Sequence, residues 1–352
     1  MIARLLPLLL FLTTAAAADV IHVTSLRFSF VIEVDLETGD RREFLVDDYP
    51  RILRGGQHAV DPAGGVLFST ADAGQRGGIF RLDPATGAVT GVSGAVYGFE
   101  DRFLGTGPLP PASGPRAMVV DGPRLLTIGG GAGLLSIDLA TGNRTLLAPP
   151  DVLPRADEET SLTMPLATAQ DFTTPTIALY QPDDMVLLDA EHVLVADRFE
   201  GFVIVPLADT PNRRRLFPPD VTHPATPRSM DVDRRRRRLV YTGLDPDVPA
   251  VWQLSLDTLE ERLISGAFGG IEAGSGPPIV FAAGILVDPR GRVLVYDSVL
   301  PALFHVGEDG HRTIIASDTV GGGALLPDFN NAPTLGTMAH PAPGIRHGWA
   351  AR

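Results

Sequence analysis

Cysteine and lysine are both absent from the 352 residues, and all 29 basic residues are arginine. Without cysteine there is no thiol nucleophile, disulfide, thiolate metal site or lipid-bearing N-terminal cysteine. Without lysine there is no Schiff-base chemistry and no lysine general base. Positive charge is the minority, 29 against 42 acidic residues for a formal net charge of −13, which argues against nucleic acid as a partner. Familiar catalytic frames are missing too. Ser93 and Ser275 sit among glycines but neither completes G-x-S-x-G, there is no His-Glu-x-x-His, and the eight histidines are scattered. Gly129 to Gly133 is glycine-rich but links two strand-like segments with no helix after it, so it reads as a tight turn and not a phosphate loop.

Long apolar runs are equally scarce. The longest opens the chain: one arginine at position 4, an apolar stretch Leu5 to Leu12, then Ala15 to Ala18. It is shorter than the roughly 20 residues that cross a bilayer. It reads as a secretory signal peptide over residues 1–18, with cleavage after Ala18 at the small-residue pair Ala16 and Ala18. The mature chain is expected to be secreted or periplasmic.

What the chain does have is a repeat. The segments ending Asp35-Leu-Glu-Thr-Gly39, Asp83-Pro-Ala-Thr-Gly87 and Asp138-Leu-Ala-Thr-Gly142 share an alternating apolar strand followed by a polar turn. Variants run Val251 to Leu259 and Leu303 to Gly310, with a degenerate copy at Phe202 to Thr210. Aspartate can cap such a turn through its side chain, and glycine supplies the positive φ. A second phrase precedes most copies: an apolar strand, Asp, a short turn and another apolar strand. Examples are His58 to Phe68, Met118 to Thr127, Met185 to Val195, Met230 to Val240 and Ile285 to Val295. Together the phrases give four strands, a to d, in about fifty residues, the length of a propeller blade.

The N-terminus holds strands b, c and d but no a, and the C-terminus holds a lone a-like stretch, Thr334 to His340. Joining them completes a sixth blade and removes two open sheet edges. The expected fold is therefore all-β: a six-bladed β-propeller of four-stranded antiparallel blades over residues 19–340, the last blade closed by N- and C-terminal strands, with a tail at 341–352.

The pattern resembles NHL-repeat propellers and the six-bladed group of gluconolactonase, regucalcin and strictosidine synthase. Gly284-Ile-Leu-Val-Asp-Pro-Arg-Gly-Arg-Val-Leu-Val-Tyr-Asp-Ser298 carries the resemblance. The lactonase branch implies a divalent metal held by a glutamate, an asparagine and an aspartate. Asp297 matches the aspartate and Asp197 is its analogue in another blade, but the asparagine position is Ala283 and no Glu-Gly-Pro opens the first inner strand.

In an up-and-down blade the b–c turns and blade-to-blade connections share one face. The long connections, 94–115, 149–176, 267–281 and 317–333, place a ligand site there, at the channel mouth. Counting back from the a-strand aspartates puts Gly56, Arg116, Asp184, Arg228, Ala283 and Leu335 at that mouth, and the b-strand ends add Thr70, Gly129, Asp197, Thr242 and Asp297. Arg116 and Arg228 flanking Asp184 suit an anionic or polyhydroxylated ligand, or plug the channel as an ion network. The resemblance implies calcium or zinc at Asp297 and Asp197; on oxygen chemistry alone a hard cation held by Asp184, Asp197 and Asp297 is the metal alternative, and capping its turn is the other role for Asp297. His58 and His340 fall on inner strands of adjoining blades. The loop at 149–176, with Asp157-Glu158-Glu159, reads as a lid, a partner loop or a solvated insertion. Arg213–Arg215 and Arg234–Arg238 are expected to share the opposite face, as a basic patch for an anionic surface or by coincidence of composition. Two functions follow: a secreted or periplasmic binding protein for a small molecule or protein at the long-loop face, or a metal-dependent hydrolase or lactonase acting on a sugar-derived or anionic small molecule.

Overall fold

The Asp-x-x-Thr-Gly phrases fold as the hairpins their chemistry requires. Asp35 accepts the amides of Glu37 and Thr38, Asp138 those of Ala140 and Thr141, and Gly39, Gly87 and Gly142 take φ near +75°. A computed structural model describes residues 20–25, 30–45, 58–71, 77–96, 102–108, 115–129, 133–148, 179, 182–208, 213–217, 227–243, 250–326 and 338–339. The segments expected as a signal peptide, 1–18, and as a tail, 341–352, lie outside them.

The described strands form six antiparallel sheets, with no helix among the described residues. Blade 1 begins with β1 (Val20–Ser25), β2 (Phe30–Asp35) and β3 (Arg41–Leu45). Blade 2 is β4 (His58–Val60), β5 (Val66–Ala71), β6 (Gly77–Leu82), β7 (Val89–Val96) and β8 (Arg102–Leu104). Blade 3 is β9 (Ala117–Asp121), β10 (Arg124–Gly129), β11 (Gly133–Asp138) and β12 (Arg144–Ala148). Blade 4 is β13 (Pro182–Leu187), β14 (His192–Asp197), β15 (Gly201–Pro206) and β16 (Arg214–Arg215). Blade 5 is β17 (Pro227–Asp233), β18 (Arg238–Gly243), β19 (Ala250–Ser255), β20 (Glu261–Phe268) and β21 (Ile271–Ala273). Blade 6 is β22 (Ala282–Val287), β23 (Val293–Asp297), β24 (Ala302–Val306) and β25 (Arg312–Ser317). Finally β26 (Met338–Ala339) pairs with β1, His22 opposite Ala339 and Val23 opposite Met338, and completes blade 1 as the repeat predicts.

Blades 2 and 5 depart from the four-stranded expectation by adding β8 and β21 outside the fourth strand. The core lies between neighbouring sheets. Between blades 4 and 5, Phe202 meets Tyr241 edge-on with ring centroids 5.0 Å apart, and Tyr241 stacks on Trp252. Burying such rings is what drives one sheet onto the next.

A second device joins blades at the outer rim. After β8, Gly105-Thr106-Gly107-Pro108 wraps Arg144, the first residue of β12 in the next blade. The Arg144 guanidinium donates to the carbonyls of Leu104, Gly105, Gly107 and Pro108 and to Ser93 Oγ. After β21, Gly274-Ser275-Gly276-Pro277 wraps Arg312 in the same way, with bonds to the carbonyls of Ala273, Gly276 and Pro277 and to Ser265 Oγ. Between blades 6 and 1, Arg41 donates to the Ser317 and Val320 carbonyls while its amide bonds Gly322. The glycines are required: a Cβ on Gly105 or Gly274 would overlap the backbone of Gly142 or Gly310. Thus the described parts of 94–115 and 267–281, expected as loops over the pocket, fold back as fifth strands and rim clasps.

Candidate functional site at the channel mouth

The inner strands β13, β17 and β22 each carry a bulge near their start, at Asp183, Arg228 and Ala283. A bulge lets one extra residue leave the ladder and re-aims its side chain. The register makes Asp183, and not Asp184, the equivalent of Arg228. Asp189 lies four residues after Met185, whereas Asp233 and Asp288 lie three after Met230 and Ile285, so counting five places back from Asp189 stops one place short. The same register places Gly243, rather than Thr242, level with Asp197 and Asp297.

Three arginines converge on Asp183. Arg198, on the turn after β14, lies 3.4 Å from its carboxylate, and Arg228 and Arg116 act on it electrostatically. Burial raises the Asp183 pKa, and the three arginines pull it back. Arg228 is only 8% exposed and lies over the Phe281 ring at 4.2 Å. Burial depresses its guanidinium to about 10 despite the nearby Asp183, and Arg198 adds to the depression. Its Nε is buried with no hydrogen-bond partner. Around this cluster, the turns after β14 and β23 expose Phe199, Val299 and Leu300, and Val280 is exposed beside them.

Asp184 sits deeper, on the channel side. Its Oδ1 accepts the Met185 amide, and Oδ2 accepts the Ser229 hydroxyl and the Met230 amide of the next blade. Burial raises its pKa to about 7. Asp231 repeats the device one blade on: it accepts the amides of Val232 and Val287, with its pKa raised to about 6 by burial. Asp184, Ser229, Asp231, His58 and three methionines line a cavity of about 90 Å³. His58 lies beside His22, and His340 lies outside the described residues. Burial first, and His22 second, lower the His58 pKa to about 3.

Asp297 and Asp197 cap turns. Asp297 Oδ1 accepts the amides of Val299 and Leu300 and Oδ2 those of Val280 and Phe281. Four donors fill the acceptor sites of a carboxylate. Asp197 Oδ1 accepts Phe199 and Glu200. With Ala283 where the lactonase pattern has asparagine, these residues do not fit a lactonase-type divalent site. Among the described residues no group of three or more His, Asp or Glu is placed to share a metal ion. Gly56, Leu335 and the whole 149–176 loop lie outside the described residues.

The arginine runs are spent largely on ion pairs. Arg238 is buried between Asp233 and Glu308, Arg236 bonds Asp233, and Arg237 bonds Asp257. Arg234 donates to the Leu187 and Leu188 carbonyls. Arg213 is buried, and Arg215 reaches the b–c turn to pair with Glu200. Among the described residues, most of these arginines are thus held by carboxylates or carbonyls within the protein.

No protein-family model matches this chain, and no curated protein matches it. Solved structures do. A Bacteroides caccae protein of unknown function aligns over 93% of this chain and 100% of its own, with 12% identity and a TM-score of 0.54. TolB from Acinetobacter baumannii aligns over 86% of this chain and 65% of its own, with 12% identity and a TM-score of 0.48. At such identity the first likeness shows a shared fold, the propeller already described.

Proposed function

We propose that this protein is an extracytoplasmic binding propeller whose ligand is an anionic small molecule, held by carboxylate or phosphate groups at the channel mouth. The observation that carries this reading is the convergence of Arg116, Arg198 and Arg228 on the single carboxylate of Asp183. The cluster keeps a net positive charge on a chain whose net charge is −13. Arginine presents planar, bidentate donors suited to both anions. The depressed pKa of Arg228 marks a cation short of compensation, which an arriving anion supplies. The apolar tips at Phe199, Val299 and Leu300 suit a ligand with a hydrophobic portion beside its charge. The leader-like N-terminus supports an extracytoplasmic setting.

Citrate and inorganic phosphate, titrated calorimetrically at low ionic strength, test the site. Saturable binding that weakens with salt and disappears in both Arg228→Gln and Arg198→Gln supports it. Absence of binding by either anion, or binding unchanged in both variants, refutes it.

A further inference from the structure

The inner strands carry a second pattern, below the mouth and independent of it. Met118 pairs with Thr127, Met185 with Val195, Met230 with Tyr241 and Ile285 with Val295, each partner lying two residues before the end of its b strand. His58 pairs with Phe68 and stands three residues before Asp61, as Met118 and Met230 stand before Asp121 and Asp233, and the backbone of β26 places Met338 opposite Val23. One level of the ring is thus occupied by four methionines, one histidine and one isoleucine. The chain has six methionines, and among the described residues methionine stands nowhere else. The rest of the core is built from leucine, isoleucine, valine, alanine and aromatics.

Core filling alone does not call for this choice. Leucine fills an apolar position with better-defined rotamers, and nothing about packing confines methionine to one level of six inner strands. Thioethers differ from leucine in one chemical respect, which is soft, uncharged sulfur donation. Met118, Met185 and Met230 are 6%, 2% and 2% exposed and line the same cavity of about 90 Å³ as His58, larger than one water-sized site.

We propose that Met118, Met185, Met230 and His58 form a binding site for a soft monovalent cation, Cu(I) or its redox-stable analogue Ag(I). His58 is buried against the same cavity, and imidazole nitrogen is a common metal ligand. Hard cations are disfavoured because the nearby carboxylate oxygens are already bonded: Asp184 to Met185, Ser229 and Met230, and Asp231 to Val232 and Val287.

Silver nitrate, titrated in chloride-free buffer into the mature protein carrying ¹³C-methyl methionine, tests the site directly. The expected result is saturation at one Ag(I) per chain, with the methyl signals of Met118, Met185 and Met230 moving and that of Met164 unmoved. Met185→Leu preserves volume. It is expected to weaken binding at least about tenfold, a loss that even outer-shell changes produce at metal sites, while the metal-free melting temperature stays close to the parent's. Competition with bicinchoninate extends the measurement to Cu(I). The proposal is overturned by any of three results: no saturable Ag(I) binding, a shift confined to Met164, or parent-like affinity in the folded Met118→Leu/Met185→Leu/Met230→Leu variant.

Discussion

The outer rim and the channel axis join neighbouring blades with opposite chemistry. At the rim a buried arginine donates to backbone carbonyls, as Arg144 does to Leu104, Gly105, Gly107 and Pro108. At the axis a buried carboxylate accepts backbone amides, as Asp184 does from Met230 and Asp231 from Val287. Both devices satisfy polar groups that sheet packing leaves over. They differ in how they respond to protons. A guanidinium stays charged through the working range of a protein, whereas the axial carboxylates are held near neutrality by burial. The rim is therefore a fixed fastening and the axis a titratable one.

Removing a rim fastening should have the largest effect. Arg144→Ala leaves a ring of carbonyls without their donor and is expected to lower stability by about 3 kcal/mol in urea unfolding, since bonds to a charged group are worth more than neutral ones. A loss under about 1 kcal/mol would mean that water replaces the guanidinium.

The pH profile separates the two regions next. Asp184 and Asp231 have folded pKa values of about 7 and about 6, above the ordinary 3.8. The folded state then binds protons more tightly than the unfolded chain. Their contribution to stability is fully present below pH 3.8 and is lost as pH rises through 6 and 7. The protein should be more stable near pH 5 than near pH 8, by roughly 4 kcal/mol from these two groups together. The slope should flatten in Asp231→Asn and persist in Arg144→Ala. An equal slope in all three proteins would remove the axis as its source.

Glycines sharpen the comparison further. Gly310 and Gly87 share φ near +75°, but a Cβ on Gly310 would overlap the Ile264 carbonyl, while one on Gly87 meets nothing within 4 Å. Gly87→Ala should lose about 1 kcal/mol, the left-handed penalty alone. Gly310→Ala should lose at least twice as much by thermal unfolding, because backbone must move. The smallest effect belongs to the mouth. Arg228→Met keeps the stacking volume over Phe281 and removes a poorly compensated charge, so stability should change by less than about 1 kcal/mol.

The ring, its hairpins and its closure were readable because each blade repeats a local rule. Aspartate caps and glycine turns recur at blade length, and a missing first strand at one end matches a spare at the other. The mouth was readable only to within one residue. Counting from Asp189 chose Asp184 because that aspartate stands one residue farther from Met185 than its counterparts stand from Met118, Met230 and Ile285, an offset that only the strand pairing reveals. One position along a strand changes where a side chain points, so the small slip matters. The rim clasps had a written signal, Gly-x-Gly-Pro at 105–108 and again at 274–277, but a function for these glycines exists only once the next blade's arginine is beside them. The ion pairs of the arginine runs were not readable for the opposite reason: their partners Glu308, Asp257 and Glu200 are remote in sequence or on another turn.

The clasp around Arg41 has a consequence for how the molecule is born. Its bond to Ser317 spans 276 positions, and β1 meets Met338 later still. During synthesis the first sheet leaves the ribosome with a bare edge and waits through five further blades for its mate. Nascent chains are thus exposed to neighbours at that edge for nearly the whole of translation, and an export route that keeps them unfolded until release would spare them the wait.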